Sequence, residues 1–306
     1  TDHIEYRPHR DDIQGDHDRS YELAKARAEQ LSLILVKGSE ITRDMPPGHL
    51  NAIFLKDSEA LDTEDWREAL RIAARQGAFI FWNHPGWVKQ APEGVAVWYK
   101  EHSELLKEGL LMGLEVANFS SYYPEAYQWA IDKELTVFAN SDSHQPISLD
   151  FDPCKGEFRP FTLVFASERN EEGIREAILA HRTAAVFQGK IMGASRFLEA
   201  IFNRSVSPEN QELSIRGQGG TAVMLCNNSD LDFELVNGGG EGIVEVPSSL
   251  ILKAGKTVPL QLTGLSQSLS GRKTVRVHYE VENLLPGPGK SQPVVLELEV
   301  NFIPEE

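Results

Sequence analysis

The sequence has little cysteine and no long apolar run. Its 306 residues include two cysteines, Cys154 and Cys226, and neither has a second Cys or a His at zinc-site spacing. This isolated pair predicts two free thiols rather than a disulfide framework. No apolar run reaches the roughly 18 to 20 residues of a membrane span. We therefore expect no membrane-spanning helix, and no signal peptide is visible.

Basic residues are also scarce. Thirty Lys and Arg residues oppose 46 Asp and Glu residues, which gives a formal net charge of −16. A surface of this sign repels phosphate backbones and anionic membranes, so broad nucleic-acid binding is not expected. An anionic small substrate would need a locally positive site, such as bound metal cations.

The pattern along the chain predicts two domains. From residue 20 to about 202, helix-like stretches such as TEDWREALRIAARQG, with a Thr63 cap and a stop at Gly77, alternate with apolar strands such as AFIFW. After residue 203, short alternating strands such as KTVRVHYEVEN are separated by turns such as NGGGEG. We predict an α/β domain over residues 1–202 and a small β-sandwich over residues 203–306.

Four apolar strands of the first domain lead to polar side chains. These side chains are Glu40, His84, Glu115, and Asp142 with His144. Because residues so far apart in sequence meet only if the strand ends share one rim, a (β/α) barrel is favoured over a doubly wound sheet.

Five short segments place His or carboxylate beside turn-forming residues. They are TDH at 1–3, GSE at 38–40, PPGH at 46–49, NHPG at 83–86 and SDSH at 141–144. Each is weak alone, because a single His near a turn is more often structural. Together they supply the imidazole and carboxylate ligands that zinc, manganese and iron prefer.

In this order, the five segments resemble the motifs of the polymerase and histidinol phosphatase (PHP) superfamily of metal-dependent phosphoesterases. The resemblance covers about residues 1 to 200 and implies a distorted seven-stranded barrel with two or three divalent metal ions, Zn, Mn or Fe, at its C-terminal rim. By position it implies six metal ligands: His3, Glu40, His49, His84, Asp142 and His144. The implied function is hydrolysis of a small phosphorylated substrate by a metal-activated hydroxide.

Further roles stay open between alternatives. His84 and Asp142 are the candidates for protonating the leaving group, provided that the metals leave them free. Arg43, just beyond Glu40, would hold a phosphate in bidentate fashion or form a plain surface ion pair. Glu115 would orient a ligand histidine or simply accept a hydrogen bond at a strand end. The stretch around His9 and His17 is expected to be a solvated loop over the rim.

One family motif is missing. PHP proteins open with an HxH element, and no HxH occurs in this chain. Because the chain begins within TDH and without Met, we expect the first strand and its HxH to lie upstream of Thr1. The alternative is a catalytically degenerate module whose sandwich docks a carbohydrate or a protein partner. A sandwich beside a hydrolase barrel favours, by analogy, an extracytoplasmic location, periplasmic or secreted.

Overall fold

The computed structural model describes residues 1–8, 11–12, 15–209 and 212–306. These residues form two compact units that divide between Gln188 and Gly189, earlier in the chain than the predicted boundary at 202/203. The helix Ser195–Ser205 accounts for the difference, because it packs against strands of the second unit. None of the described helices is both long and apolar enough to cross a membrane.

The first unit is a mixed α/β structure. Its described strands are β1 (Asp2–His3), β2 (Gly38–Ile41), β3 (Leu50–Ile53), β4 (Phe79–Trp82), β5 (Gly113–Asn118), β6 (Ser121–Tyr122), β7 (Thr136–Asn140), β8 (Phe161–Val164) and β9 (Thr183–Phe187). Its described helices are α1 (Arg19–Gln30), α2 (Trp66–Gln76), α3 (Lys100–Lys107), α4 (Pro124–Asp132), α5 (Ile147–Asp150) and α6 (Glu171–Leu179). The main sheet has the order β1-β2-β3-β4-β5-β6, and β7 also pairs with β5. Closure of a barrel stays a prediction.

Several strands depart from the predicted parallel pattern: β6 is antiparallel to β5 and β8 to β9, and β3 departs from it next to the candidate site. β3 is antiparallel to both β2 and β4, whereas β4, β5 and β7 are parallel to one another. The connection from β2 to β3, residues 42–49, is too short for the crossover that parallel strands require. The start of β3 therefore lies at the same edge of the sheet as the ends of β2 and β4.

The centre of the first unit is an apolar cluster. Strands β4 and β5 are buried along their whole length, as expected for strands covered on both faces. The rings of Phe81 and Phe138 stack with their centroids 4.3 Å apart. A Cβ at Gly113 would lie 2.7 Å from the Phe138 ring, so this glycine lets β5 approach the cluster closely.

Helix α2 shows how local sequence sets an element's ends. Its N-cap is Asp65, whose side chain accepts a hydrogen bond from the backbone N–H of Arg67, rather than the predicted Thr63. The predicted stop at Gly77 is confirmed, with φ at 85° in the left-handed region. The helix therefore begins two residues later than predicted.

The second unit is rich in β-structure. It contains helix α7 (Ser195–Ser205) and the strands β10 (Lys190–Gly193), β11 (Val206–Pro208), β12 (Leu213–Arg216), β13 (Gly220–Asn227), β14 (Phe233–Gly239), β15 (Val244–Glu245), β16 (Ser249–Leu252), β17 (Thr257–Gly264), β18 (Gly271–Val281), β19 (Leu284–Leu285) and β20 (Gln292–Ile303). Two sheets have the orders β11-β13-β17-β15 and β12-β20-β18-β14-β16. Side chains along β18 and β20 alternate between buried and exposed, which is the pattern of a sandwich. Both Cys154 and Cys226 are free, as predicted.

Candidate metal centre

The antiparallel strand β3 brings His49 next to His84. His49 immediately precedes β3, and its carbonyl accepts a hydrogen bond of 2.9 Å from the backbone N–H of Asn83, which follows β4. The imidazole rings of His49 and His84 lie with their centroids 4.9 Å apart. Two histidines that are 35 positions apart in the numbering thus face one another at one edge of the sheet.

Glu40 completes a buried three-residue group with these histidines. One ligand atom from each of Glu40, His49 and His84 lies within 4.8 Å of the others. The Oε1 atom of Glu40 is 2.7 Å from Nδ1 of His49, but this contact lacks the angles of a hydrogen bond. Among the described residues, neither His49 Nδ1 nor His84 Nδ1 has a hydrogen-bond partner. Buried polar atoms without a hydrogen bond are uncommon in native structures, and a bound ion is one of the partners that accounts for them.

The other predicted ligands gather beside this group. His3 places Nδ1 3.3 Å from Glu40 Oε1, and its ring centroid is 5.8 Å from that of His144. Nδ1 of His144 lies 2.9 Å from the backbone carbonyl of Asp142. One cavity of about 840 Å³ is lined by His3, Glu40, His84, Asp142 and His144. The sixth predicted ligand, His49, is not part of this lining, but it contacts Glu40, which is.

The protonation states suit metal binding. Burial opposes the ionisation of Glu40, but contacts with His3 and His49 outweigh it and hold the pKa of the carboxyl well below its usual range. Burial and the neighbouring His49 together lower the pKa of His84 to about 4. Near neutral pH the group therefore offers a carboxylate and a neutral imidazole, which are the forms that bind metal.

The backbone is strained at two of these positions. His84 has a φ of 25° and Asp142 has a φ of 49°, a region that residues other than glycine seldom adopt. Beside His84, a Cβ at Gly86 would lie 2.7 Å from the carbonyl oxygen of Gly94, so the NHPG loop needs its glycine. Backbone strain of this kind concentrates at functional sites.

The fold and this site agree with one comparison in particular. A crystal structure of a two-domain protein from Bacteroides vulgatus, described as containing a predicted PHP-like metal-dependent phosphoesterase, is 42% identical to this chain with a TM-score of 0.90. The alignment covers 97% of this chain and 84% of that chain. This chain belongs to the PHP-like family.

The remaining comparisons concern the C-terminal part of this PHP-like chain. Residues 206–297 match a family model described as an Ig-like domain, DUF5001, which agrees with the sandwich. The C. elegans MSP family member WR4 (12% identity, 33% of this chain and 98% of that chain, TM-score 0.24) and the E. coli chaperone DraB (11%, 33% and 55%, 0.25) also align. Neither likeness carries an argument at these TM-scores. Comparison with curated proteins gave no match.

Arg43 lies away from the cavity of the PHP-like domain. Its Nε is 2.9 Å from Glu5 Oε1, and Nη2 and Nη1 donate to the backbone carbonyls of Thr63 and Glu64 at 2.7 and 3.2 Å. Glu5 also accepts a hydrogen bond from the backbone N–H of Thr42. These contacts correspond to the ion pair that sequence analysis held open as the alternative to phosphate binding.

The cavity contains polar residues that sequence analysis missed. Asn51, Asn83, Asn140 and Arg159 all line it. The Oδ1 atoms of Asn51 and Asn83 are buried without a hydrogen-bond partner among the described residues. Asn51 directly follows PPGHL, and Asn83 directly precedes His84. Inspection of the residues that flank each motif histidine would therefore have found both. Arg159 follows no motif and gave no such signal.

The polar loop near the N-terminus is partly described. His9 lies outside the described residues. Nε2 of His17 is 2.6 Å from Nη2 of Arg7, and the backbone N–H of His17 donates to the carboxylate of Glu59. Because its ring and backbone are engaged in this way, His17 has local partners rather than a place in the cavity lining.

Proposed function

We propose that this PHP-like chain hydrolyses phosphate esters with the help of divalent metal ions. The observation that carries the proposal is the buried group of Glu40, His49 and His84, in which Nδ1 of each imidazole has no hydrogen-bond partner among the described residues. Leaving buried polar atoms unpaired costs about 1 to 3 kcal/mol each. Coordination of a cation by these nitrogens would remove that cost.

The donor set fits the metals expected from sequence. Two imidazole nitrogens and one carboxylate oxygen suit zinc, manganese or iron. Metal–ligand bonds of about 2.0 to 2.2 Å place two ligand atoms of the same ion at most about 4.4 Å apart. The ligand atoms of this group lie within 4.8 Å of one another, which is close to that distance. His3, Asp142 and His144 are the proposed ligands of a second ion. Such ions would lower the pKa of a water molecule and neutralise charge that develops on the phosphoryl oxygens.

The proposed fold of the first unit is the distorted barrel of the family. Three hydrogen bonds of two threonine side chains support continuity beyond the main sheet. Thr162 on β8 bonds to the backbone N–H and carbonyl of Ala139 on β7, both at 3.0 Å. Thr183 on β9 donates to the carbonyl of Val137 on β7 at 2.9 Å. Strand β7 is thereby fastened to β8 and β9 as well as to β5.

Arg159, rather than Arg43, is the proposed contact for the anionic part of the substrate. It is the one Arg or Lys side chain among the described residues that line the cavity. No hydrogen bond or ion pair engages its guanidinium within the described residues. A free guanidinium is well suited to a planar, bidentate contact with phosphate.

Replacement of Arg159 by alanine is therefore expected to raise KM for a phosphate ester by about 10-fold or more, because a charge-assisted hydrogen bond contributes about 1.5 to 3 kcal/mol. Steady-state kinetics measure the effect. Arg204→Ala, which removes an exposed guanidinium from helix α7, is the matched control and should leave KM unchanged. An unchanged KM in Arg159→Ala would remove this residue from the substrate site.

Metal content and turnover test the proposed function directly. The full-length protein is assayed for bound metal by elemental analysis and for hydrolysis of p-nitrophenyl phosphate, before and after treatment with a chelator. We expect stoichiometric metal, turnover that the chelator abolishes, and recovery on adding Zn²⁺ or Mn²⁺. Metal binding without turnover of any phosphate ester in a broad panel would favour the binding module instead. Absence of metal binding would overturn both the site and the activity.

A further inference from the structure

A buried carboxylate lies beneath the proposed metal centre. Glu115 is on β5, the strand that lies between β4 and β7 in the sheet. His84 follows β4 and Asp142 follows β7, so the two strand ends that carry these residues flank Glu115. Only 1% of the Glu115 surface is exposed.

We propose that Glu115 is a positioning residue that fixes the backbone of the two segments bearing His84 and Asp142. This inference rests on the proposed function, since it concerns the same metal centre. Glu115 itself is outside the group of Glu40, His49 and His84 that is able to hold one ion. Its role is to hold ligands in place.

The hydrogen bonds of Glu115 run to both neighbouring strand ends. Its Oε2 accepts from the backbone N–H of His84 at 2.6 Å and from the side-chain amide of Asn118 at 2.9 Å. Its Oε1 accepts from the side-chain amide of Asn140 at 2.5 Å. The two oxygens of Glu115 thus accept from three donors at fixed positions.

The conformation of the local backbone explains why a positioning residue is needed. The pairing of β5 with β7 shifts register between Glu115 and Ala117, where a β-bulge interrupts the ladder. His84 and Asp142 have φ values of 25° and 49°, which are unfavourable for residues with a Cβ. Strained conformations persist only when surrounding contacts hold them. The bond from Glu115 to His84 acts on one strained residue directly, and the bond to Asn140 acts two residues before the other.

The expected effect of Glu115→Gln follows from its donors and acceptors. A glutamine amide replaces one acceptor oxygen by an NH₂ group, which would face the donor amide of Asn140 or the N–H of His84. At least one strand end would lose its bond. Loss of a hydrogen bond that orients a metal ligand typically lowers metal affinity or activity by about 10- to 100-fold.

The experiment uses the full-length protein and Co²⁺ as the probe, because the visible absorption of Co²⁺ reports coordination geometry. We measure Co²⁺ affinity, the absorption spectrum, kcat and KM for Glu115→Gln, with Glu199→Gln as the control for an exposed carboxylate. We expect Glu115→Gln to lower the Co²⁺ affinity by about 10- to 100-fold, to alter the absorption spectrum and to lower kcat, while KM changes little. Thermal unfolding of the metal-free protein separates these effects from a loss of stability.

A double substitution tests the role by rescue. In Glu115→Gln with Asn140→Asp, the new amide donates to the new carboxylate, and the bond between positions 115 and 140 is restored in reverse. Recovery of roughly tenfold in Co²⁺ affinity over the single variant is expected. If Glu115→Gln does not fold, Asn140→Ala, which removes one bond only, takes its place with a smaller expected loss of affinity.

Two results would overturn the inference in different ways. Unchanged Co²⁺ affinity, spectrum and kcat in folded Glu115→Gln, or in folded Asn140→Ala, would contradict the role of Glu115 while leaving the metal centre intact. Failure of the parent protein to bind Co²⁺ would instead refute the proposed function on which the inference depends.

Discussion

Replacement of Glu40 by glutamine is expected to reduce bound metal to a small fraction of the parent value and to lower phosphate-ester turnover by about a thousandfold or more. Glu40 is in contact with His49 and His3, at 2.7 and 3.3 Å, so it is the residue most central to the proposed ligand set. The substitution keeps the shape but removes the one negative charge of the buried three-residue group. Loss of about 4 kcal/mol of transition-state stabilisation corresponds to roughly a thousandfold in rate.

Elemental analysis and kcat/KM measure this effect, and Glu29→Gln on the exposed face of helix α1 is the control for charge removal. Because Glu40 is buried, far-ultraviolet circular dichroism and thermal unfolding of the metal-free protein must show a folded variant. Normal metal content in folded Glu40→Gln would contradict its assignment as a ligand. Normal metal content with lost turnover would assign it to catalysis alone.

The sequence was informative wherever polar residues interrupt apolar strands. Glu40, His84 and Asp142 could be selected because each lies in or just beyond a short buried run, and short buried runs predict strands. Their proximity depended on a further assumption, that the strand ends share one edge. The contact of His49 with Glu40, and of His84 with His49, agrees with that assumption.

Sequence analysis predicted neither strand β3 nor its direction. His49 precedes β3, and in a parallel sheet it would lie at the opposite edge from His84. The short β2–β3 connection makes β3 antiparallel and reverses that placement. Strand direction here follows from loop length and long-range pairing, neither of which appears in the periodicity of LNAI itself.

The partners of charged side chains could not be predicted from the sequence either. Arg43 is three residues beyond the ligand candidate Glu40, yet its guanidinium is held by Glu5 and by two carbonyls in residues 63–64. Arg159 has no motif around it and nevertheless lines the cavity. Proximity in sequence says little about which way a long side chain reaches, because its partners come from other loops.

Replacement of Asp142 by asparagine is expected to abolish phosphate-ester turnover while the protein stays folded. At a φ of 49°, Asp142 occupies a conformation that asparagine also tolerates, so this substitution removes the charge with little backbone penalty. Burial, together with the charge of Glu40, raises the pKa of Asp142. A nearby metal cation would favour its ionised form, which a neutral amide cannot supply.

The companion variant His144→Ala removes the exposed imidazole from the same SDSH segment, and we expect turnover to be lost there too, because both side chains are proposed ligands of one ion. Steady-state kinetics with p-nitrophenyl phosphate measure both variants, and Asp132→Asn on the exposed side of helix α4 is the control. Full activity in both Asp142→Asn and His144→Ala would refute the assignment of this segment to the metal centre. Loss of turnover in Asp142→Asn alone would keep Asp142 as a ligand and exclude His144. The distance from Nδ1 of His144 to Oδ1 of Asp142 is already long, at 3.9 Å.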